Sequence, residues 1–143
     1  MSLPPQARNV CRAGALVMGF NVGGVHHASV VVTDVTSSLS FYCNVLGLSV
    51  DQSRPDLGYD GAWLQVGMQQ IHLLQVDNVD PTVGRPLHVG RDRHTALMVD
   101  NIDLLAKQLD ESDIAYTRSR SRRRALFCRD PDGNGLEFVE SKP

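Results

Sequence analysis

Two stretches of the chain carry the same order of polar and apolar positions. His27-Ala-Ser-Val-Val-Val-Thr-Asp34 and His94-Thr-Ala-Leu-Met-Val-Asp-Asn101 each open on a histidine, run on through short β-prone apolar residues, and close on a residue suited to cap a helix. The two histidines are 67 positions apart (27 to 94). Behind the first, Val35, Leu39, Tyr42 and Leu46 recur at helical spacing, with Asp34 to cap the start and Gly47 the end. Behind the second, Ile102, Leu105, Ala106 and Leu109 do the same, with Asp100 or Asn101 as cap.

Three further strands are predicted in each half, at about 48–52, 61–66 and 70–76, and again near 115–119, 124–129 and 135–140. Gly67-Met68-Gln69 and Asp130-Pro131-Asp132-Gly133-Asn134 supply the turns. Each half therefore reads βαβββ, an α+β pattern written twice, in modules of about 25–77 and 92–141 joined by a linker over 78–91. Aligning Ala62-Trp63-Leu64 with Ala125-Leu126-Phe127, and Gln70-Ile71-His72-Leu73 with Gly135-Leu136-Glu137-Phe138, makes the second turn two residues longer. It also puts His72 and Glu137 at equivalent positions, as His27 and His94 already are. Four metal-competent side chains thus stand at matched places around whatever cavity two such modules share.

Bulk properties narrow the class without naming it. The chain has 143 residues, enough for one domain with a core, and a formal net charge of −2, which points to neither nucleic acid nor an anionic membrane as partner. No apolar run reaches the ~18 residues of a membrane helix, so a cytoplasmic protein is expected. Cys11, Cys43 and Cys128 are odd in number and widely spaced, which suits reduced thiols better than a disulfide framework or a thiolate zinc site. Residues 1–24, with Pro4-Pro5 and an apolar stretch over Ala13–Phe20, read as a lead-in outside the domain.

With these motifs the chain resembles the vicinal-oxygen-chelate superfamily of glyoxalases, bleomycin-resistance proteins and extradiol dioxygenases. The resemblance is carried by His26-His27-Ala-Ser-Val-Val-Val-Thr-Asp34 with Ser40-Phe41-Tyr42 and Leu46-Gly47, by Gly61-Ala62-Trp63-Leu64 with Ile71-His72-Leu73-Leu74, by Arg93-His94, and by Asp130-Pro131-Asp132-Gly133-Asn134 with Leu136-Glu137. It covers about residues 25–140. It implies that the mixed sheets of two βαβββ modules form an incomplete barrel around a metal, with His27, His72, His94 and Glu137 as ligands. The glyoxalase I branch usually carries Glu or Gln where this chain has His72. The thiol transferases and extradiol dioxygenases use only the positions of His27, His94 and Glu137. A homodimer that exchanges modules is also implied.

Three imidazoles and a carboxylate suit one divalent Ni, Zn, Co, Mn or Fe per site better than Ca or Mg, which take all-oxygen shells. The reaction expected from the resemblance is a glyoxalase I-like lyase or isomerase acting on a small oxygenated substrate or its glutathione or other thiol adduct. Proton transfer would pass through a metal-stabilised enediolate, with Glu137 as the catalytic base. Thiol transfer to an epoxide, dioxygenation, and metal-free small-molecule binding are the alternatives.

Each residue also has an ordinary reading. His72 can be a hydrogen-bonded core histidine, while a carboxylate in Leu136-Glu137-Phe138-Val139 needs a metal or cation nearby. His26, next to His27 in a strand, should point to the opposite face, and His88, in the linker with no counterpart in the other half, reads as a hydrogen-bonded or surface residue rather than a ligand. Ser29, Trp63, Ala96 and Met98 are expected to wall the cavity. The arginines at 118, 120, 122, 123 and 124 are either a solvated edge or a clamp for an anionic substrate, Arg122 among them. Strand parity turns Arg93 away from the cavity.

Overall fold

A computed structural model describes residues 22–141. The lead-in expected over 1–24 lies almost wholly outside those residues, as does Cys11. Strand β1 (His27–Val32) leads into helix α1 (Val35–Leu39), and β2 (Ser49–Val50), β3 (Gly61–Val66) and β4 (Gln69–Gln75) complete the first module. The second repeats it as β5 (His94–Val99), α2 (Ile102–Glu111), β6 (Tyr116–Arg118), β7 (Ala125–Arg129) and β8 (Gly135–Glu140). The fold is α+β with two four-stranded mixed sheets, ordered β1-β4-β3-β2 and β5-β8-β7-β6, and neither closes into a barrel.

The capping residues act as their chemistry demands. Asp34 accepts from the Thr36 and Ser37 amides, and Asn101 from those of Asp103 and Leu104. The next orphaned amide is satisfied from the last strand of each module: Val35 N donates to Gln75 Oε1 at 2.7 Å and Ile102 N to Glu140 Oε2 at 2.8 Å. The first helix does not stay α throughout. Over Ser40–Val45 it widens into a π turn, with Leu46 N bonded to Phe41 O, and Gly47 (φ 74°) ends it.

The cross-strand register corrects the sequence alignment. Trp63 pairs with His72, and Phe127 with Glu137, so Trp63 corresponds to Phe127. The second turn is one residue longer, not two: Gly67-Met68 joins β3 to β4, and Pro131-Asp132-Gly133 bridges Asp130 and Asn134. Each sheet therefore has two unlike faces. One packs under the helices, where Leu64, Ile71 and Leu73 join Leu126, Leu136 and Phe138 against Tyr42, Ile102 and Leu109 in one core shared by both modules. The other carries His27, Ser29, His72 and Trp63 on the first sheet and His94, Ala96, Met98 and Glu137 on the second, and it lies open; Met98 is 81% exposed.

A polar clasp ties the modules together. The fully buried Tyr42 donates to Asp130 Oδ2 at 2.9 Å, Asn134 Nδ2 donates to the same oxygen at 2.9 Å and to the Val31 carbonyl at 3.0 Å, and Thr33 N donates to Asp132 Oδ1. Cys43 and Cys128 are free thiols, and burial pushes Cys128 up to about 12. Among the described residues no helix is long and apolar enough to cross a membrane.

Candidate metal centre in two halves

The first half forms where β1 and β4 run parallel and place His27 and His72 on the same open face. Their rings stack at 3.9 Å and 12°, and Trp63, opposite His72 on β3, stacks on its other side at 4.6 Å. His26 precedes the strand, so the alternation expected to turn it away does not apply. Its Nδ1 lies 2.8 Å from His27 Nδ1. That bond occupies Nδ1 of His27 and leaves Nε2 available.

His72 is held by a different device. Gln70 Nε2 donates to Asp51 Oδ2 at 2.6 Å, and Gln70 Oε1 lies 2.9 Å from His72 Nε2. A carboxylate only accepts, so the amide must turn its NH2 to Asp51 and its oxygen to His72. The imidazole then donates from Nε2, and its lone pair lies on Nδ1. Bonds from Ser53 and Gln70 hold the Asp51 carboxyl below the usual range. Burial, then the neighbouring His27 and His26, lower the His72 pKa and keep the ring neutral, as a ligand must be.

The second half forms where β5 and β8 run parallel. Gly135, opposite His94, is required there: a Cβ would meet Arg93 O at 2.7 Å and His94 Cβ at 3.0 Å. His94 Nδ1 donates to the Asp92 carbonyl at 2.8 Å, which leaves Nε2 as the lone-pair nitrogen, 3.1 Å from Glu137 Oε2. Two electron-rich atoms at that distance call for a proton or a cation between them. Glu137 is buried, and its Oε1 accepts from Arg123 Nη2 at 3.0 Å. Asp92 is itself fixed by a two-pronged bond from Arg85 and one from Arg129, and Arg85 foremost holds its carboxyl well below the usual range.

The structure thus brings the four predicted ligands together two by two. Among the described residues no three His, Cys, Asp or Glu side chains converge on one point. The His27 and His72 planes are nearly parallel, so their in-plane lone pairs do not meet unless one ring turns. Trp63 joins the aromatic stack, while Met98 and Ala96 face solvent beside Glu137. Arg122 is exposed in the loop after β6.

Several contacts went unforeseen. It is Arg123 that reaches Glu137, since residues 119–124 bend away from the extended path and their arginines do not alternate. Arg93 pairs with Asp80 at 3.2 Å and, with His94, lines a cleft of about 260 Å³ under the linker, a space that His27, His72 and Glu137 do not line. His88 is the hydrogen-bonded linker residue expected: its ring caps the short turn Val89–Arg91 by accepting from Gly90 N and packs on Phe127 at 4.8 Å. Gln70, which holds the predicted ligand His72, lies two positions before it and hence on the same face, but nothing in its spacing marks it as a partner.

Comparison with known proteins follows the same outline. The family model described as the Glyoxalase/Bleomycin resistance protein/Dioxygenase superfamily matches residues 24–138. The chain is 30% identical over 129 residues to the uncharacterized protein YaeR of Escherichia coli (strain K12), covering 81% of this chain and 95% of that protein. It is 29% identical over 119 residues to Glyoxylase I 4 of Arabidopsis thaliana, covering 80% and 68%. Mitochondrial methylmalonyl-CoA epimerase of Bos taurus is 29% identical over 100 residues, covering 66% and 57%. Among solved structures, a glyoxalase family protein from Bacillus anthracis superposes with a TM-score of 0.73 at 25% identity, over 87% of this chain and 100% of that one.

Proposed function

Because the chain belongs to the glyoxalase/bleomycin resistance protein/dioxygenase superfamily, we propose that it is a metal-dependent lyase or isomerase of the glyoxalase I type, working as a homodimer. The observation that carries this reading is the His94–Glu137–Arg123 arrangement on an open sheet face. Each chain presents one pair of donors per sheet. A two-fold partner that lays its second sheet over the first would unite His27 and His72 of one chain with His94 and Glu137 of the other, twice per dimer. The residues fit a divalent first-row metal: three imidazoles and one carboxylate, with a Nδ1–H donated to a backbone carbonyl in the manner of ligand histidines. When bound, such an ion supplies Lewis acidity to two neighbouring substrate oxygens.

The side chains then divide the work. Arg123 holds Oε1 of Glu137, which leaves Oε2 to take a proton from the carbon beside a substrate carbonyl and return it to the adjacent atom. His27, His72 and Trp63 form a flat aromatic wall, and Met98 a flexible apolar one, which together keep water from the reacting carbon. An epimerase and a glyoxylase both need a proton moved beside a carbonyl, so the names of two relatives support this class of reaction.

The stacking of His72 favours one second reading. If its ring stays flat against His27, only His27, His94 and Glu137 bind the ion, as the resemblance implies for thiol transfer to an epoxide or for dioxygenation.

Metal analysis of the purified chain and its variants decides the matter, together with solvent-deuterium uptake into a panel of thiol-adduct substrates. One divalent ion per chain is expected, lost in His27→Ala and in His94→Ala. Glu137→Gln should keep much of the metal while turnover and deuterium exchange fall ~10²–10⁴-fold. Full occupancy in the His27→Ala/His94→Ala double variant would overturn the site. His72→Ala with unchanged metal affinity would select the three-ligand reading.

A further inference from the structure

Phe127 is buried on a sheet face that is otherwise open. It lies directly across from Glu137 in the register of β7 and β8, and so on the same side as Met98. Met98 is 81% exposed, whereas Phe127 is 6% exposed and takes no part in the core shared by the modules. The linker covers it. His88 packs its ring on Phe127 at 4.8 Å, and a Cβ at Gly90 would meet Phe127 Cε1 at 3.2 Å. Val89 rests over Gly135, where a Cβ would meet Val89 Cγ1 at 2.8 Å, so the missing side chain at 135 lets residues 88–90 lie across the sheet.

Arg129, two residues along from Phe127 and on the same face, fixes this strap on both sides of His88. Its Nη2 donates to the Pro86 carbonyl at 2.6 Å and its Nη1 to Asp92 Oδ2 at 2.8 Å. The strap ends in the Asp92 carbonyl that orients His94, and the Phe127 ring meets His94 edge-on at 6.0 Å. His88 is thus held over the residue that adjoins both donors of the second half.

The tautomer of His88 follows from the turn. Gly90 N donates to Nδ1 at 3.0 Å, and accepting needs a lone pair there, so the ring is neutral and its proton is on Nε2. Among the described residues Nε2 has no hydrogen-bond partner. Capping and packing do not account for that group. An asparagine caps such a turn, and a phenyl ring would cover Phe127. An imidazole does both and adds one N–H donor beside the face that carries Glu137.

We propose that His88 is a further substrate-contacting residue, whose Nε2–H donates to an uncharged oxygen, a carbonyl, amide or hydroxyl, of the molecule held against Glu137. The proposal rests on the reading of the Glu137 face as the reacting site. A single neutral N–H has neither the charge nor the forked geometry that favours a carboxylate or phosphate, so it suits an uncharged acceptor. The strap gives it a fixed position, because Arg129 and Gly90 hold the backbone and the ring before any ligand arrives.

The test follows the His88 ring in long-range ¹H–¹⁵N spectra of the zinc-loaded chain. The chain is titrated with S-lactoylglutathione, a thiol adduct with hydroxyl and carbonyl oxygens on adjacent carbons, and separately with lactamide, which has the same pair of oxygens and no thiol arm. The Nε2–H form is expected before ligand is added, and its resonances should move saturably with at least one compound. Two variants separate the donor from the ordinary roles. His88→Asn keeps an acceptor for Gly90 N, His88→Phe keeps a ring on Phe127, and neither places an N–H where Nε2 stands. Each should raise the Kd about three- to tenfold, with zinc content unchanged. A Nδ1–H form, His88 resonances that stay still at saturation, no binding of either compound, or either variant binding as tightly as the parent would overturn the proposal. The two readings fail separately. His88 resonances that respond to ligand while Glu137→Gln exchanges solvent deuterium at the parent rate count against the base and not against His88.

Discussion

Replacing Tyr42 by Phe removes one oxygen from the only cross-module bond made by a fully buried side chain to a buried carboxylate among the described residues. The ring stays, so the cavity contribution is small and the cost is that of a hydrogen bond to a charged group, about 1.5–3 kcal/mol. Asp130 keeps its bonds from Asn134 Nδ2 and from the Asp132 and Asn134 amides, which favours the lower half of that range. Burial raises the Asp130 pKa above 3.8, while the Asn134 and Tyr42 bonds lower it. Losing Tyr42 therefore raises it further. The sign follows from linkage: a carboxyl whose folded pKa lies above its unfolded value loses stability as pH rises from 3.8 through the folded value. The penalty in Tyr42→Phe is therefore full at neutral pH, and at pH 4 it shrinks toward the ~0.5–1.5 kcal/mol of a neutral bond. Urea unfolding followed by Trp63 fluorescence measures it, with a midpoint about 1 M lower at pH 7 for a slope of ~1–3 kcal/mol/M. A loss under ~0.5 kcal/mol at pH 7, or an equal loss at both pH values, would refute the clasp as the bond that joins the modules.

Mixing His27→Ala chains with Glu137→Ala chains should restore one intact site per heterodimer, read as recovered metal binding that neither variant shows alone; a strictly monomeric chain that binds metal would exclude shared sites. Gln70→Leu should release His72 from its Nε2–H form, and long-range ¹H–¹⁵N spectra should change from one tautomer to a mixture. An unchanged spectrum would mean that Gln70 does not orient the ring. Asp92, whose carboxyl is depressed by Arg85 and Arg129, contributes stability above pH 3.8 that is lost as pH falls toward its folded value. Asp92→Asn should therefore flatten the acid limb of the stability curve and loosen His94, and an acid limb identical to the parent's would refute that role.

What was legible in the sequence is what the backbone period determines. A histidine opening a strand twice, Asp34 and Asn101 as helix caps, and the Asp130–Asn134 turn all announce themselves by spacing or residue type. Register was less visible. Ala62 and Ala125 look equivalent in sequence, yet Ala62 lies on the core face beside Leu73 while Ala125 lies opposite Val139 on the other face, because turn length decides parity and the two turns differ by one residue. Least visible were Gln70, Arg123 and the Asp92 carbonyl. Long side chains choose partners by rotamer and reach, neither of which leaves a period.

Those hidden partners make the repeat chemically unequal. The backbone puts donors at the same two places on each sheet's open face, but the first half surrounds its donors with aromatic rings and an amide, and the second surrounds them with a carboxylate and a guanidinium. His27 and His72 thus stand among rings and an amide, whereas Glu137 stands beside the Arg123 guanidinium, the division that the proposed roles of ligand and base call for. A symmetric scaffold with symmetric surroundings would place two like half-sites face to face and distinguish nothing between ligand and base. Because the halves differ, the proposed dimer, joining the first sheet of one chain to the second of another, would produce a centre with an aromatic wall on one side and a charged wall on the other. Turning the His72 ring is then the single local adjustment that separates a four-donor centre from a three-donor one.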